Sequence, residues 1–268
     1  MAENSAIQWC HHTFNPWIGC TRISPACDNC YAEAWDRRFG GTHWGARAAR
    51  RRTRTWSYPV KWNRRAADTG TRLRVFCASL ADVFDTHPSI DRNWHEELWQ
   101  LIEATPSIDW LMLTKRPQNA AKVLPARWLR DGLPAHVWVG VTVETPHAAS
   151  QRLPALFDIP ARLRFLSCEP LLERVDLTCV ETRHGRLDAL SCGTPWIDWV
   201  IAGGESGPGF RSSDPAWFRL LRDQCAAHNA AFFFKQWSGV SQAAVKKRGR
   251  MLDGVVHDAI PAIPAHLP

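Results

Sequence analysis

The sequence predicts an α/β protein whose core is a partial or full parallel (βα) barrel of about six to seven strands. Short runs rich in β-branched and aromatic residues alternate with longer amphipathic stretches, the pattern of strands separated by helices. Several of the longer stretches begin with Asp or Pro, which favour the first turn of a helix. Strands joined by helical crossovers run parallel, so we expect one parallel sheet.

The predicted elements alternate through most of the chain. Strands are predicted at residues 7–10, 73–78, 110–114, 137–143, 163–167, 199–202 and 231–235. Helices are predicted at residues 31–39, 91–104, 118–124, 146–153 and 215–228. The barrel domain is expected to span residues 1–240, with a cysteine loop at 15–32 and a basic aromatic insertion at 44–65, before a C-terminal extension at 241–268.

Polar residues follow nearly every predicted strand. In parallel barrels, the loops at the carboxyl ends of the strands build the active site. We therefore expect one cavity lined by Ser79 and Asp82, Lys115 and Arg116, Glu144, Cys168 and Glu169, Gly203, Gly204, Glu205 and Ser206, and Lys235 and Gln236. Each residue taken alone also suits an ordinary turn. The predicted catalytic residues are Lys115, Glu144, Glu169 and Lys235.

Three cysteines, Cys20, Cys27 and Cys30, lie in the loop after the first predicted strand. Three thiolates can hold three irons of a cubane cluster and leave the fourth iron open to a substrate or cofactor. The alternative is a structural zinc site, because Cys10, His11 or His12 is near enough in sequence to offer a fourth ligand. The six-residue gap between Cys20 and Cys27 is less typical of zinc knuckles.

Composition predicts a reducing cytoplasmic setting and no membrane association. The chain has an odd number of cysteines, nine, and its first residues do not resemble a signal peptide. No apolar run approaches the roughly 20 residues that span a bilayer.

A basic and aromatic segment predicts a nucleic-acid partner. The chain has 33 Lys and Arg against 26 Asp and Glu, a net charge of +7. The excess is concentrated at Arg47, Arg50, Arg51, Arg52, Arg54, Lys61, Arg64 and Arg65, which are interleaved with Trp44, Trp56, Tyr58 and Trp62. Such a mixture neutralises phosphates and stacks on bases. The alternative is a solvated basic loop whose tryptophans face the core.

Seven short motifs carry a resemblance to known proteins. They read NPWIGC at 15–20, CDNCYA at 27–32, LTKRP at 113–117, VGVTVE at 139–144, SCEPLL at 167–172, IAGGESG at 201–207 and FFKQW at 233–237. They resemble the radical S-adenosylmethionine (SAM) superfamily and, more closely, a divergent phage-type family of three-cysteine proteins whose role is little defined.

The resemblance implies a partial (βα) barrel and a [4Fe-4S] cluster on the three cysteines. It also implies SAM on the open iron and an electron donor, whose electron breaks a carbon–sulfur bond to give methionine and a 5′-deoxyadenosyl radical. That radical would abstract hydrogen from a substrate, for which a nucleic acid or nucleotide is our leading expectation. Candidate SAM-binding residues are Ser79, Asp82, Gly203, Gly204 and Glu205.

Two features depart from the superfamily pattern. Six residues separate the first two cysteines, where three are usual, and the Gly-Gly-Glu element follows the sixth predicted strand instead of the second. The alternative function is a non-catalytic nucleic-acid-binding protein whose cysteines hold zinc.

Overall fold

The computed structural model describes residues 3–191 and 196–262 of the chain. Seven strands form one sheet, in the order β1 (His12–Phe14), β4 (Leu73–Cys77), β5 (Ile108–Thr114), β6 (Val137–Thr142), β7 (Leu163–Cys168), β10 (Trp199–Gly203) and β11 (Ala231–Gln236). β1 pairs with β4, β4 with β5 and β5 with β6, all in parallel. β10 lies between β7 and β11 and is parallel to both. The α/β class and a parallel sheet of seven strands are therefore confirmed, and β1 and β11 end the strand order within the described residues.

Three small antiparallel pairs are β2 (Trp17–Ile18) with β3 (Arg51–Arg52), β8 (Val180–Thr182) with β9 (Gly185–Leu187), and β12 (Met251–Leu252) with β13 (Val255–Val256).

The helices are α1 (Tyr31–Arg38), α2 (Tyr58–Asp68), α3 (Arg92–Glu103), α4 (Ala120–Val123), α5 (Ala126–Asp131), α6 (Pro146–Phe157), α7 (Pro215–Ala227) and α8 (Gln242–Arg248). Short 3₁₀ turns occupy Pro25–Cys27 and Pro117–Asn119. The predicted starts of α3 and α7 are confirmed, because Asp91 and Asp214 each accept a hydrogen bond from a backbone N–H two residues later, as helix-capping carboxylates do.

The first strand and one helix differ from the prediction. Residues 7–10 form a turn, closed by the Cys10 N–H on the Ile7 carbonyl at 3.2 Å, and the strand begins at His12. Helix α2 lies within the basic segment, which the sequence pattern did not identify as helical. The predicted helix at 118–124 is a 3₁₀ turn followed by α4.

The central strands are buried on both faces. Every residue of β6, β7 and β10 is buried, as are all but one in β5. This burial explains why the sequence shows continuous apolar runs there, since parallel strands covered on both sides need no polar face.

The chain divides into two compact units. The first is Met1–Thr142 with Gln151–Arg164, and the second is Val143–Ser150 with Phe165–Pro268. The domain boundary predicted at residue 240 lies within the second unit. The predicted extension contains α8, β12 and β13, and its last residues, 263–268, lie outside the described residues. Among the described residues, no helix has the length and apolar character needed to cross a membrane.

We expect the interior of the first unit to tolerate cavities poorly. Leu111 in β5 is completely buried, so Leu111→Ala should lower the free energy of unfolding by about 2–5 kcal/mol through lost burial and the cavity left behind. Val60 in α2 is exposed, and Val60→Ala should change it by no more than about 0.5 kcal/mol. Urea unfolding followed by circular dichroism measures both, and equal effects would contradict the assigned burial.

Candidate functional site

The cysteine loop of the first unit is anchored by a close backbone approach. The Gly19 N–H donates to the Leu80 carbonyl at 3.0 Å, beyond the end of β4. Gly19 has a φ of +117°, and a Cβ built there would lie 2.4 Å from the His43 carbonyl oxygen. Only glycine fits this position without displacing the backbone. The loop is thereby held against the carboxyl end of β4, and Cys20 follows directly.

The three cysteines differ in their surroundings. Burial raises the pKa of the Cys20 thiol to about 11, although the nearby Arg116 guanidinium opposes that shift. Cys27 is buried, and its Sγ lies 3.9 Å from the Ser24 hydroxyl. Cys30 is half-buried, immediately precedes α1 and packs beside the cluster of Ile18, Ala32 and Leu80.

No three His, Cys, Asp or Glu side chains are grouped as metal ligands within the part of the chain that the structure describes. The metal assignment of Cys20, Cys27 and Cys30 therefore stays a prediction. The structure shows only that all three thiols belong to one loop.

Arg116 joins the Cys20 sulfur to a buried carboxylate. Its Nη1 donates to Cys20 Sγ at 3.4 Å and to Asp82 Oδ2 at 2.9 Å, and its Nη2 donates to the Thr21 carbonyl at 2.6 Å. Both charged side chains are less than a tenth exposed. Arg116 follows β5 and Asp82 follows β4, so the ion pair connects two strand ends with the cysteine loop.

Asp82 uses both of its carboxylate oxygens in this arrangement. Oδ1 accepts from the Phe84 N–H at 2.9 Å and from the Thr114 hydroxyl at 2.7 Å. Oδ2 accepts from the Lys115 N–H at 3.0 Å besides Arg116. The structure thus commits Asp82, which we predicted to contact SAM, to holding Arg116 and the loop after β5.

The ion pair keeps a positive charge next to the Cys20 sulfur. Burial alone would lower the pKa of Arg116, but the Asp82 carboxylate and the Cys20 thiol raise it above its ordinary value. A fixed cation favours a thiolate, or another anionic group, at the sulfur it contacts. From the sequence we expected Arg116 among the polar residues that line the cavity, but we predicted the neighbouring Lys115 as the catalytic residue.

Ser79 and Lys115 also lie around the cysteine loop. The Asn15 side chain donates to the Ser79 hydroxyl at 3.1 Å, and the Ser79 carbonyl accepts from the Tyr31 hydroxyl at 2.8 Å. Lys115 is half-buried, and its backbone N–H is used by Asp82. The structure therefore brings Ser79, Asp82 and Lys115 to the same loop as the cysteines.

A second group of predicted residues meets within the second unit. Lys235 Nζ lies 3.2 Å from Glu169 Oε2, with both side chains largely buried. Glu169 Oε1 is buried and has no hydrogen-bond partner among the described residues. Glu144 is completely buried. Burial raises the pKa of Cys168 well above its usual value, and Cys225, Glu169 and Glu144 add to that shift, so both carboxylates lie near this thiol.

The Gly-Gly-Glu element in this unit contacts its own chain. A Cβ on Gly203 would lie 2.7 Å from Glu169 Oε1, and one on Gly204 would lie 2.3 Å from the Ser238 nitrogen. Glu205 is buried and accepts from the Arg211 backbone N–H at 2.8 Å and from its Nε at 2.9 Å. Packing thus accounts for these three residues, and their predicted contact with SAM stays untested.

The arginines predicted to bind nucleic acid differ in exposure. Arg47, Arg51 and Arg54 are exposed, and their phosphate-binding role stays a prediction. Arg52 is half-exposed, pairs with Glu97 and lies 4.2 Å above the Trp56 ring.

Arg50 is buried, and its prediction as a phosphate contact is wrong. Its side chain is completely inaccessible, and Nε donates to Asp85 Oδ2 at 2.8 Å. Its Nη1 donates to the carbonyls of Gly45 and Ala48, and its Nη2 donates to the Thr21 hydroxyl at 2.7 Å. Arg50 therefore ties the loop at 43–50 to the cysteine loop.

The residues proposed as a fourth zinc ligand are engaged at the start of β1. Cys10 Sγ lies 3.7 Å from the Ile7 carbonyl. His11 Nδ1 accepts from the Arg74 N–H at 2.8 Å, and His12 stacks on Trp62 with ring centres 4.4 Å apart. Trp62 is buried, so this part of the basic segment has its aromatic ring in the core, as the alternative prediction required.

Comparison with known proteins identifies one family, because residues 4–261 match the DUF5131 sequence model. The chain belongs to the DUF5131 family. The description of DUF5131 is a protein of unknown function. No curated protein and no solved structure matches the chain. The function of this DUF5131 protein must therefore be argued from its own residues.

Removing the Asp82 carboxylate should destabilise the DUF5131 fold. Asp82→Ala leaves Arg116 as a buried unpaired charge and leaves three further donors without their acceptor, so we expect the free energy of unfolding to fall by about 3–5 kcal/mol. Asp131 forms an exposed pair with Arg130, and Asp131→Ala should cost less than about 1 kcal/mol. Denaturant unfolding compares the two variants, and a loss for Asp82→Ala no greater than that of the control would refute the pairing.

Arg50 and Arg54 should differ sharply despite lying four residues apart. Arg50→Met leaves the Asp85 carboxylate buried without its cation, which should cost about 3–5 kcal/mol of unfolding free energy. Arg54→Met changes an exposed side chain and should cost no more than about 0.5 kcal/mol. If thermal and urea unfolding gave the same result for both variants, Arg50 would be a surface residue and the buried contact would be wrong.

Proposed function

We propose that this protein is a radical SAM-like enzyme that holds a [4Fe-4S] cluster on Cys20, Cys27 and Cys30 and modifies a nucleic acid. The observation that supports it is the buried Arg116, held by Asp82, whose guanidinium donates to the Cys20 sulfur. This arrangement suits a sulfur that carries negative charge and serves as a ligand.

The donor set fits an iron–sulfur cluster. Thiolates are the usual ligands of such clusters, and hydrogen bonds to the ligating sulfurs adjust the reduction potential. Three thiols on one loop leave one position of a four-iron cluster for another molecule. If bound by Cys20, Cys27 and Cys30, such a cluster would supply the chemistry for one-electron reductive cleavage of the carbon–sulfur bond of SAM.

The chain's own residues have separable roles in the proposal. Arg116 and Asp82 fix a positive charge at Cys20, while the contact between Gly19 and Leu80 holds the cysteine loop at the end of β4. Glu169 offers a buried carboxylate oxygen, and Lys235 keeps the other oxygen paired. We propose Lys115, Glu144, Glu169 and Lys235 for binding or proton transfer, SAM as cosubstrate and a one-electron donor as partner.

An anionic substrate is supported by the exposed arginines. Arg51 lies in β3, and Arg47 and Arg54 are close to it in sequence. β3 pairs with β2, which lies inside the cysteine loop. A cationic surface beside the loop favours a polyanion. The competing proposal, a zinc-containing nucleic-acid-binding protein, keeps that surface and is separated from ours by metal content.

Each proposed ligand should be required for iron. After anaerobic loading, we expect about four iron and four sulfide per chain, and we expect release of 5′-deoxyadenosine when SAM and a reductant are added. Cys20→Ala, Cys27→Ala and Cys30→Ala should each lose iron and nucleoside release. Elemental analysis and chromatography of the products measure the two outcomes.

The control is Cys179→Ser, which changes an exposed cysteine outside the loop and should leave both iron content and nucleoside release unchanged. Tightly bound zinc in place of iron would support the competing proposal. Iron without nucleoside release would refute the SAM reaction while leaving the cluster in place.

A further inference from the structure

Helix α1 carries an exposed aromatic surface directly beside the cysteine loop. Tyr31, Trp35 and Phe39 are 59%, 38% and 68% exposed, although large aromatic side chains are normally covered. The rings of Trp35 and Phe39 lie 4.9 Å apart. We call Tyr31, Trp35, Phe39 and Arg38 the α1 platform.

Helix geometry places these residues on one side of α1. Successive residues advance by about 100°, so positions 31 and 35 are about 40° apart. Phe39 caps the C-terminus of α1, where its N–H donates to the Trp35 carbonyl, and extends the arc to about 80°. Arg38 comes within about 20° of Tyr31 on the same side and is exposed. The platform thus combines three aromatic rings with a cation on a single face.

The acidic residues of α1 do not oppose an anion on this face. Glu33 is buried and is contacted by Arg22 at 2.9 Å and Arg37 at 2.6 Å. Asp36 is buried, and its carboxylate meets His43 at 2.9 Å. Because Glu33 and Asp36 are buried in these pairs, Arg38 is the exposed cation of α1 that they do not use. The exposed face of the helix is therefore cationic as well as aromatic.

We propose that the α1 platform binds single-stranded nucleic acid. Aromatic rings beside arginines recognise unpaired bases by stacking and the backbone by charge. A duplex offers its phosphates but keeps its bases stacked, so it would use only the charged half of the platform.

The basic segment exposes fewer rings than α1 does. In that segment Trp62 is buried, Trp44 and Trp56 are half-buried, and Tyr58 is exposed. The exposed arginines of the segment supply charge, and α1 adds three exposed rings.

The position of α1 connects binding to the proposed chemistry. Cys30 is the residue directly before its first turn, and the Tyr31 hydroxyl donates to the Ser79 carbonyl beyond β4. If the proposed function is right, a base stacked on Tyr31 lies at the cysteine loop, and the platform presents the substrate. Binding itself does not depend on SAM cleavage, so the two proposals fail separately.

The test measures binding of fluorescent oligonucleotides to the full, anaerobically loaded protein. The probes are oligothymidylate and oligouridylate of about 20 nucleotides and a duplex of the same length. Each probe is several times longer than the α1 platform. We expect the single strands to bind more tightly than the duplex and to weaken as salt rises. A preference for the deoxyribose or the ribose probe identifies the nucleic acid, and either preference supports the proposal.

Trp35→Leu and Phe39→Ala should each weaken single-strand binding roughly fivefold or more, because stacking on one base is lost. Leucine keeps apolar contact without a ring, so Trp35→Leu guards against a folding defect. Trp196 is a similarly exposed tryptophan in the second unit, and Trp196→Leu should have no effect. Arg38→Ala should reduce the salt dependence.

Three results would overturn the α1 platform. They are no binding of either single strand, equal affinity for single strand and duplex, or unchanged affinity in both Trp35→Leu and Phe39→Ala. Loss of binding only on substituting Arg47, Arg51 and Arg54 would place the interface on the basic segment instead. Absence of nucleoside release with binding intact would refute the proposed function and leave the platform standing.

Discussion

The candidate site depends on one buried ion pair, that of Asp82 with Arg116. Each charge alone would be costly at less than a tenth exposure, and four donors saturate the carboxylate. The pair fixes the loops after β4 and β5 to each other. Through its second contact, with Cys20, it also fixes the electrostatic surroundings of the first cysteine. A charge that is already fixed needs no rearrangement when an anionic group binds beside it, and the proposed cluster site relies on this charge at Cys20.

The sequence identified the central strands and the cysteines but not what surrounds them. Buried parallel strands such as Val137–Thr142 appear as continuous apolar runs and are readily predicted. The strand His12–Phe14 is too short to carry a pattern, and the apolar residues before it form a turn. Helix α2 was not predicted, because its Arg, Lys and Trp residues resemble a nucleic-acid-binding segment. The contact of Arg116 with Cys20 joins residues 96 positions apart, and no local pattern encodes it.

Long-range contacts also separate the predicted ligand residues into two kinds, those already used within the chain and those that are not. Glycines and carboxylates after a strand suggest a ligand site, yet Gly204 makes room for Ser238 and Glu205 neutralises Arg211. Glu169 differs, because one of its buried oxygens has no partner in the described chain while the other meets Lys235. Only contacts between distant residues reveal which of these side chains are already used. Exposure provided the corresponding signal on α1, where a helix presents rings to solvent beside the cysteine loop.

The most direct test of the central claim is a Mössbauer spectrum of protein loaded anaerobically with ⁵⁷Fe, recorded before and after SAM is added. A four-iron cluster held by three cysteines has one iron without a protein thiolate, so about one quarter of the signal should shift when SAM binds. That shift should be retained in the exposed-cysteine variant Cys179→Ser. A spectrum in which all the iron is equivalent and indifferent to SAM, or a protein that accepts only zinc, would contradict the account.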